Sequence, residues 1–194
     1  MKIQTITKTA LGAAALGFIF SMIQLVTMAI QLADDGYLWT RIVLFFFTGM
    51  KWVYIGLIIL FIIIIFRPQS LVKGAWALGI SSVIQLFLSA WTVYLYFAAA
   101  TGERMLGNDI YYVLLELVVP LTLLVFSLLL ASAPRGLALR ITALLTGLAL
   151  LASILHQAFF YGLFDVYPII DIVSAAFIAQ WFWVLFLEWK TMRI

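Results

Sequence analysis

Six stretches of the sequence, at about 9–33, 39–66, 74–100, 110–132, 137–163 and 167–187, are apolar over more than twenty residues each. At a helical rise of 1.5 Å per residue, about 20 residues cross a hydrocarbon layer of about 30 Å. The pattern therefore predicts six membrane-crossing helices. A transmembrane β-barrel needs strands of about ten residues with alternating polarity. The run from Leu57 to Phe66, LIILFIIIIF, does not alternate. The expected fold class is all-α: a polytopic integral membrane protein in which residues 1–194 form a single six-helix transmembrane domain with short loops.

Composition agrees. Hydrophobic residues make up 66% of the chain and charged residues 10%, with a mean hydropathy of +1.21. A soluble domain has roughly half apolar and about a quarter charged residues, so an ordinary globular domain is excluded. Cysteine is absent, which removes disulfides, iron-sulfur clusters and cysteine nucleophiles. The first apolar run follows Lys2 and Lys8. It is about twice the 7–15 residues of a signal peptide's apolar region, and no convincing small-x-small cleavage site precedes Asp34, so it is read as a retained helix.

Charge sets the expected orientation. Lys2, Lys8, Arg67, Lys73, Arg135, Arg140, Lys190 and Arg193 fall on one side. Arg41 and Arg104 lie on the other side, among Asp34, Asp35, Glu103, Asp109 and Asp165. Cytoplasmic loops carry the excess of Lys and Arg. Both termini are thus expected in the cytoplasm, in a bacterial or archaeal cell membrane. The segments Arg67-Pro68-Gln69-Ser70 and Ala133-Pro134-Arg135-Gly136 read as turns between helices.

Polar residues recur at helical spacing within the apolar runs. The first helix carries Ser21, Gln24, Met28 and Gln31, the third Ser82, Gln85, Ser89, Thr92 and Tyr96, and the fifth Thr142, Thr146, Ser153 and Gln157 beside His156. The second has Arg41, Thr48 and Lys51, the fourth Asp109, Tyr112, Glu116 and Ser127, and the sixth Asp171, Ser174, Trp181 and Glu188. Hydroxyls at such positions ordinarily serve close helix packing. A charge within the bilayer costs at least about 2.5 kcal/mol and so faces a cavity or a partner. Lys51 and Glu116 are expected to face each other in the outer half, because Lys51's side chain tilts back toward the outer end of its helix. His156 and Gln157 lie at similar depth, and Gln85, Gln24, Trp91 and Trp181 fall on the stripes as further ligand-binding candidates. Asp171 is expected in the first turn of the sixth helix behind Pro168, complementing the helix dipole.

The odd-numbered helices echo one another. Ala15-Leu16-Gly17 precedes Ser21-Met22-Ile23-Gln24, Ala77-Leu78-Gly79 precedes Ser82-Val83-Ile84-Gln85, and Ser153-Ile154-Leu155-His156-Gln157 resembles both. Three stacked helical hairpins would account for this, although such small residues are common in any membrane helix.

Catalytic and nucleotide motifs are missing: no Gly-x-x-x-x-Gly-Lys-Ser/Thr loop, Gly-x-Ser-x-Gly elbow or His-Glu-x-x-His helix occurs. With His156 the only histidine, multi-histidine metal sites and bis-histidine haem are excluded, and no cofactor is expected. A lipid-modifying enzyme would need Glu116 and His156 in contact. No docking arm for nucleic acid is present. The expected function is a transport component binding a small molecule or ion, with a non-catalytic accessory or sensory subunit as the alternative.

In size, six helices, cytoplasmic ends and small residues Ala10, Gly12, Ala13 and Ala14 opening the first helix, the chain resembles the substrate-binding S-components of energy-coupling-factor vitamin transporters. The resemblance covers the topology of the whole chain but no specific motif, and the outer loops here are short. It implies that the face carrying Ala10 and Ala14 docks on a membrane partner while a vitamin binds in the outer half. Gly17 extends that candidate partner face, where small residues let helices approach closely.

Overall fold

The computed structural model describes residues 2–31, 50–99, 107–132, 136–160 and 166–188. These residues form six α-helices and no strand: α1 Lys2–Gln31, α2 Lys51–Phe66, α3 Leu71–Ala99, α4 Gly107–Ser132, α5 Leu137–Phe160 and α6 Val166–Glu188. Four segments are long and apolar enough to cross a membrane, namely Gln4–Thr27, Pro68–Tyr94, Leu137–His156 and Ile169–Glu188. Lys51–Phe66 and Glu116–Ser132 are shorter apolar helices.

Helix α1 begins before the apolar run because hydropathy marks where the chain becomes apolar. The preceding Lys2 to Lys8 contains neither Gly nor Pro to break a helix. Between α2 and α3 the chain turns within a few residues. Arg67 N–H donates to the Ile63 carbonyl at 2.8 Å and leaves the helical conformation, and Pro68–Ser70 forms a 3-10 turn. Proline has no N–H to continue the α2 ladder, so the helix stops there.

Each helix packs on its neighbours in sequence, and α1 also packs on α6, so the bundle closes into a ring. Neighbours run in opposite directions. Gly56 of α2 meets Ser81 of α3, whereas Leu60 and Ile63 further down α2 meet Gly74 near the start of α3. Likewise Arg140 of α5 meets Phe186 of α6, and Gly147 meets Phe182. Helices α2, α4 and α6 thus all start at one end of the ring, called the upper end below.

The even helices turn their large residues inward at three- and four-residue spacing. Helix α2 buries Val53, Tyr54, Leu57, Leu60, Phe61 and Ile64, α4 buries Val119, Leu123, Phe126 and Leu130, and α6 buries Ile178, Trp181, Phe182 and Leu185. Their outward faces are also apolar, as are those of the odd helices: Ile19, Ile23 and Val26 on α1, Ile80, Val83 and Phe87 on α3, and Leu145, Leu148 and Leu155 on α5 are exposed.

Small residues set the helix separations. A Cβ on Gly56 would lie 2.8 Å from Ser81 Cβ and 3.0 Å from the Leu78 Cα, so α2 and α3 approach backbone to backbone there. Most hydroxyls of the sequence stripes turn back on their own helix. Ser21 donates to the Gly17 carbonyl, Ser82 to Leu78, Thr92 to Leu88, Ser127 to Leu124 and Thr146 to Thr142. These groups are satisfied locally.

The small-residue face of α1 is used inside the chain. Ala10 and Ala14 are fully buried in the core. A Cβ on Gly17 would lie 2.8 Å from the Tyr54 ring. Closing the ring covers the Ala10, Ala14 and Gly17 face expected to dock a partner, and α1 presents Leu16, Ile19 and Ile23 outward instead.

Candidate functional site

The lower half of the ring is closed by aromatic side chains from three helices. Phe61 of α2 meets Trp181 of α6 edge to face, with centroids 5.0 Å apart. Phe126 of α4 meets Trp181 at 6.2 Å and Phe182 at 5.0 Å, again edge-on. The quadrupoles of aromatic rings favour this edge-to-face arrangement. The Trp181 indole Nε1–H donates to Thr7 Oγ1 of α1 at 3.0 Å, which satisfies its buried donor. These rings make a floor.

Ten residues above each of Phe61, Phe126 and Trp181 in its own helix stands a charged residue: Lys51, Glu116 and Asp171. Ten residues correspond to about 15 Å of helix. Equal offsets on three parallel helices place the three charges in one layer above the floor. The Lys51 ammonium is attracted to the Asp171 carboxylate and, less strongly, to Glu116, so it lies within the field of acids on both α6 and α4. Lys51 is 7% exposed, and it stands at the first position of α2, where the positive end of the helix dipole disfavours a cation. The two carboxylates offset both costs. Tyr54, one turn below Lys51, is 3% exposed and lies within the field of Asp171.

Two features of the backbone shape this layer. Gly17 admits the Tyr54 ring against α1. Pro120 lies inside α4 and is buried. It has no N–H, so the Glu116 carbonyl, four residues earlier, loses its helical donor.

Gln85 and Ser174 complete the layer. Gly56 faces Ser81, and one turn higher on each helix come Trp52 and Gln85, which puts Gln85 level with Lys51. Gln85 is 3% exposed, and its Nε2 donates to Ser89 Oγ at 3.2 Å while Oε1 has no partner. Ser174, on the inward face of α6 just below Asp171, is fully buried, and its Oγ also has no partner.

Other expected residues fall elsewhere. His156 is half-buried on α5. It lies nine residues above Gly147, as Val173 lies nine above Phe182, so it is level with Ser174. Gln24 is half-buried on α1, two turns above Gly17 and therefore above the charge layer. The Gln157 side chain lies outside the described residues.

Two candidate residues lie outside the charge layer, and the expectation for Asp171 is corrected. Trp91 is 46% exposed on the outside of α3, tilted against Tyr94 with centroids 5.6 Å apart. Two residues beyond Ser89 is about 200° around a helix, so Trp91 points away from the Gln85 stripe. Trp181 belongs to the floor rather than to the ligand layer, with its N–H already bound. Asp171 is not a first-turn residue: α6 starts at Val166, before Pro168, and has no acid in its first turn. Asp171 instead becomes the stronger partner of Lys51. Sequence reasoning also missed Tyr54, although its place one turn from a buried lysine was a usable signal. Among the described residues no three His, Cys, Asp or Glu side chains cluster to hold a metal ion.

No protein-family model matches the chain, and no curated protein or solved structure shows significant similarity to it.

Proposed function

We propose that the protein is a membrane-embedded bundle that binds a small molecule or ion in its upper half and serves as a binding component of a transport system. The observation that carries this reading is the Lys51–Asp171–Glu116 layer standing over an aromatic floor. Helices apolar on inward and outward faces alike suit a bilayer. Charges buried there are expensive to insert and are ordinarily tied to a pathway or a ligand. A polar layer above interlocked rings suits loading and release from one side of the membrane.

Native mass spectrometry of the protein extracted gently from its own membrane tests this. A small-molecule or ion adduct that disappears in Lys51→Met and Asp171→Asn is the expected result. A stoichiometric protein partner with no such adduct would overturn it in favour of an accessory subunit. The proposed orientation has both termini in the cytoplasm of a bacterial or archaeal cell, supported by Lys2, Lys8, Arg67, Lys73 and Arg140 at the lower end and the acidic residues above. A reporter active only in the cytoplasm should work when fused after Ile194. An inactive fusion would invert the assignment.

A further inference from the structure

Arg140 stands in the first turn of α5, at the lower end of the bundle, where the positive end of the helix dipole disfavours a cation. Its side chain reaches across to the last turn of α6 instead. There Nε donates to the Phe186 carbonyl at 3.0 Å, and the guanidinium lies 4.7 Å from the centroid of the Phe186 ring. That carbonyl is one of the last of α6 and lacks a helical donor, so Arg140 caps the helix. Capping occupies one N–H of five. Among the described residues the head of Arg140 makes no contact beyond these two. Four Nη–H donors therefore remain, in a half-buried guanidinium held by one edge and one face. Glu188 does not share the face that carries Phe186, because it lies two residues further on, about 200° round α6.

The surface beside this guanidinium is apolar. Leu137 and Ile141 on α5 and Trp183 and Leu187 on α6 are all exposed, and the Trp183 ring leans on Phe186 with centroids 6.0 Å apart. Tryptophan collects where acyl chains give way to headgroups, and Trp76 is likewise exposed near the lower end of α3. Phe186 lies about one turn beyond Trp183, toward the lower end. The fixed guanidinium thus stands at headgroup depth beside an acyl-facing surface.

Resting on the reading of the chain as membrane-embedded, we propose that the lower end of the α5–α6 hairpin binds an anionic phospholipid. The two Nη groups donate to two oxygens of its phosphate, a match for the planar fork of arginine. Its acyl chains lie against Trp183, Leu187 and Ile141. Water satisfies the same N–H groups but brings no negative charge and covers no apolar surface.

The test adds an equimolar mixture of phosphatidylglycerol and phosphatidylcholine, with identical acyl chains, to the full chain in neutral detergent and counts retained lipid by native mass spectrometry. One phosphatidylglycerol per chain should be retained in preference to phosphatidylcholine. Arg140→Gln should weaken that retention at least about tenfold, the equivalent of a lost charge-assisted hydrogen bond. Arg140→Lys keeps a cation at the end of α6 but loses the fork. It should retain several-fold less lipid than the parent, and it reads the site even where Arg140→Gln does not fold. Lys73→Gln, which removes an exposed base near the same end, should retain lipid as the parent does.

Equal retention of the two lipids would overturn the proposal, as would retention unchanged in both Arg140 variants. A loss in Lys73→Gln equal to that in Arg140→Gln would reduce the effect to general attraction by a basic end. Displacement of the lipid by free glycerol phosphate at comparable concentration would make this a site for soluble phosphate and would also overturn it. Flotation with phosphatidylcholine vesicles separates these failures from failure of the membrane reading. A chain that floats yet shows no preference for phosphatidylglycerol ends the lipid site alone, whereas a chain that does not float ends both.

Discussion

Replacing Trp181 by alanine should cost about 3–5 kcal/mol of stability, the range for removing a large buried aromatic. Trp181 is 4% exposed and meets Phe61, Phe126 and Phe182. It also ties α6 to Thr7 of α1, where the ring of helices closes. Its loss opens a cavity at the point where side chains from α2, α4 and α6 converge. Trp181→Phe keeps ring packing but loses the N–H, and should cost about 1 kcal/mol, the usual net value of one hydrogen bond. Reversible unfolding of detergent-solubilised protein, followed by far-ultraviolet circular dichroism, measures both. An alanine variant as stable as the parent would show that the floor does not hold the ring together.

Lys51→Met should have an effect of similar size for a different reason. Removing one partner of a buried ion pair leaves an uncompensated charge, at a cost of about 3–5 kcal/mol. Here two carboxylates lose their shared cation. Adding Asp171→Asn to Lys51→Met should recover most of the loss, and adding Glu116→Gln should recover less, because Asp171 acts more strongly on Lys51. Coupled residues of this kind give interaction energies of about 0.5–3 kcal/mol in double-mutant cycles. Losses that simply add across both pairs would dissolve the layer as a unit.

Much of this architecture is legible in the sequence, and the exceptions have identifiable causes. Hydropathy locates the helices because an apolar run long enough to cross a membrane has few alternatives. The expected start of the fifth helix and end of the fourth coincide with Leu137 and Ser132. Lys51 and Glu116 stand out because a charge within such a run requires compensation. Asp171 was harder to read. Proline often occupies the first position of a helix, but Pro168 sits further in, and that shift moves Asp171 from a dipole role into the charge layer. The floor was not legible at all. Periodicity indicates which face of a helix is buried, but not which faces meet once six helices close on themselves. The same closure takes the small residues of α1 away from any outside partner.

The equal spacing of charge and ring on α2, α4 and α6 bears on how such a bundle can diverge. Around a common axis, three copies of one hairpin would bring three copies of every inward residue together. Aromatic edges and faces tolerate that arrangement, and the floor stays close to uniform with Phe61, Phe126 and Trp181. Three like charges would repel at short range with little water to screen them. The axis is therefore where approximate symmetry must break first, and a lysine facing a glutamate and an aspartate is a form that the break can take.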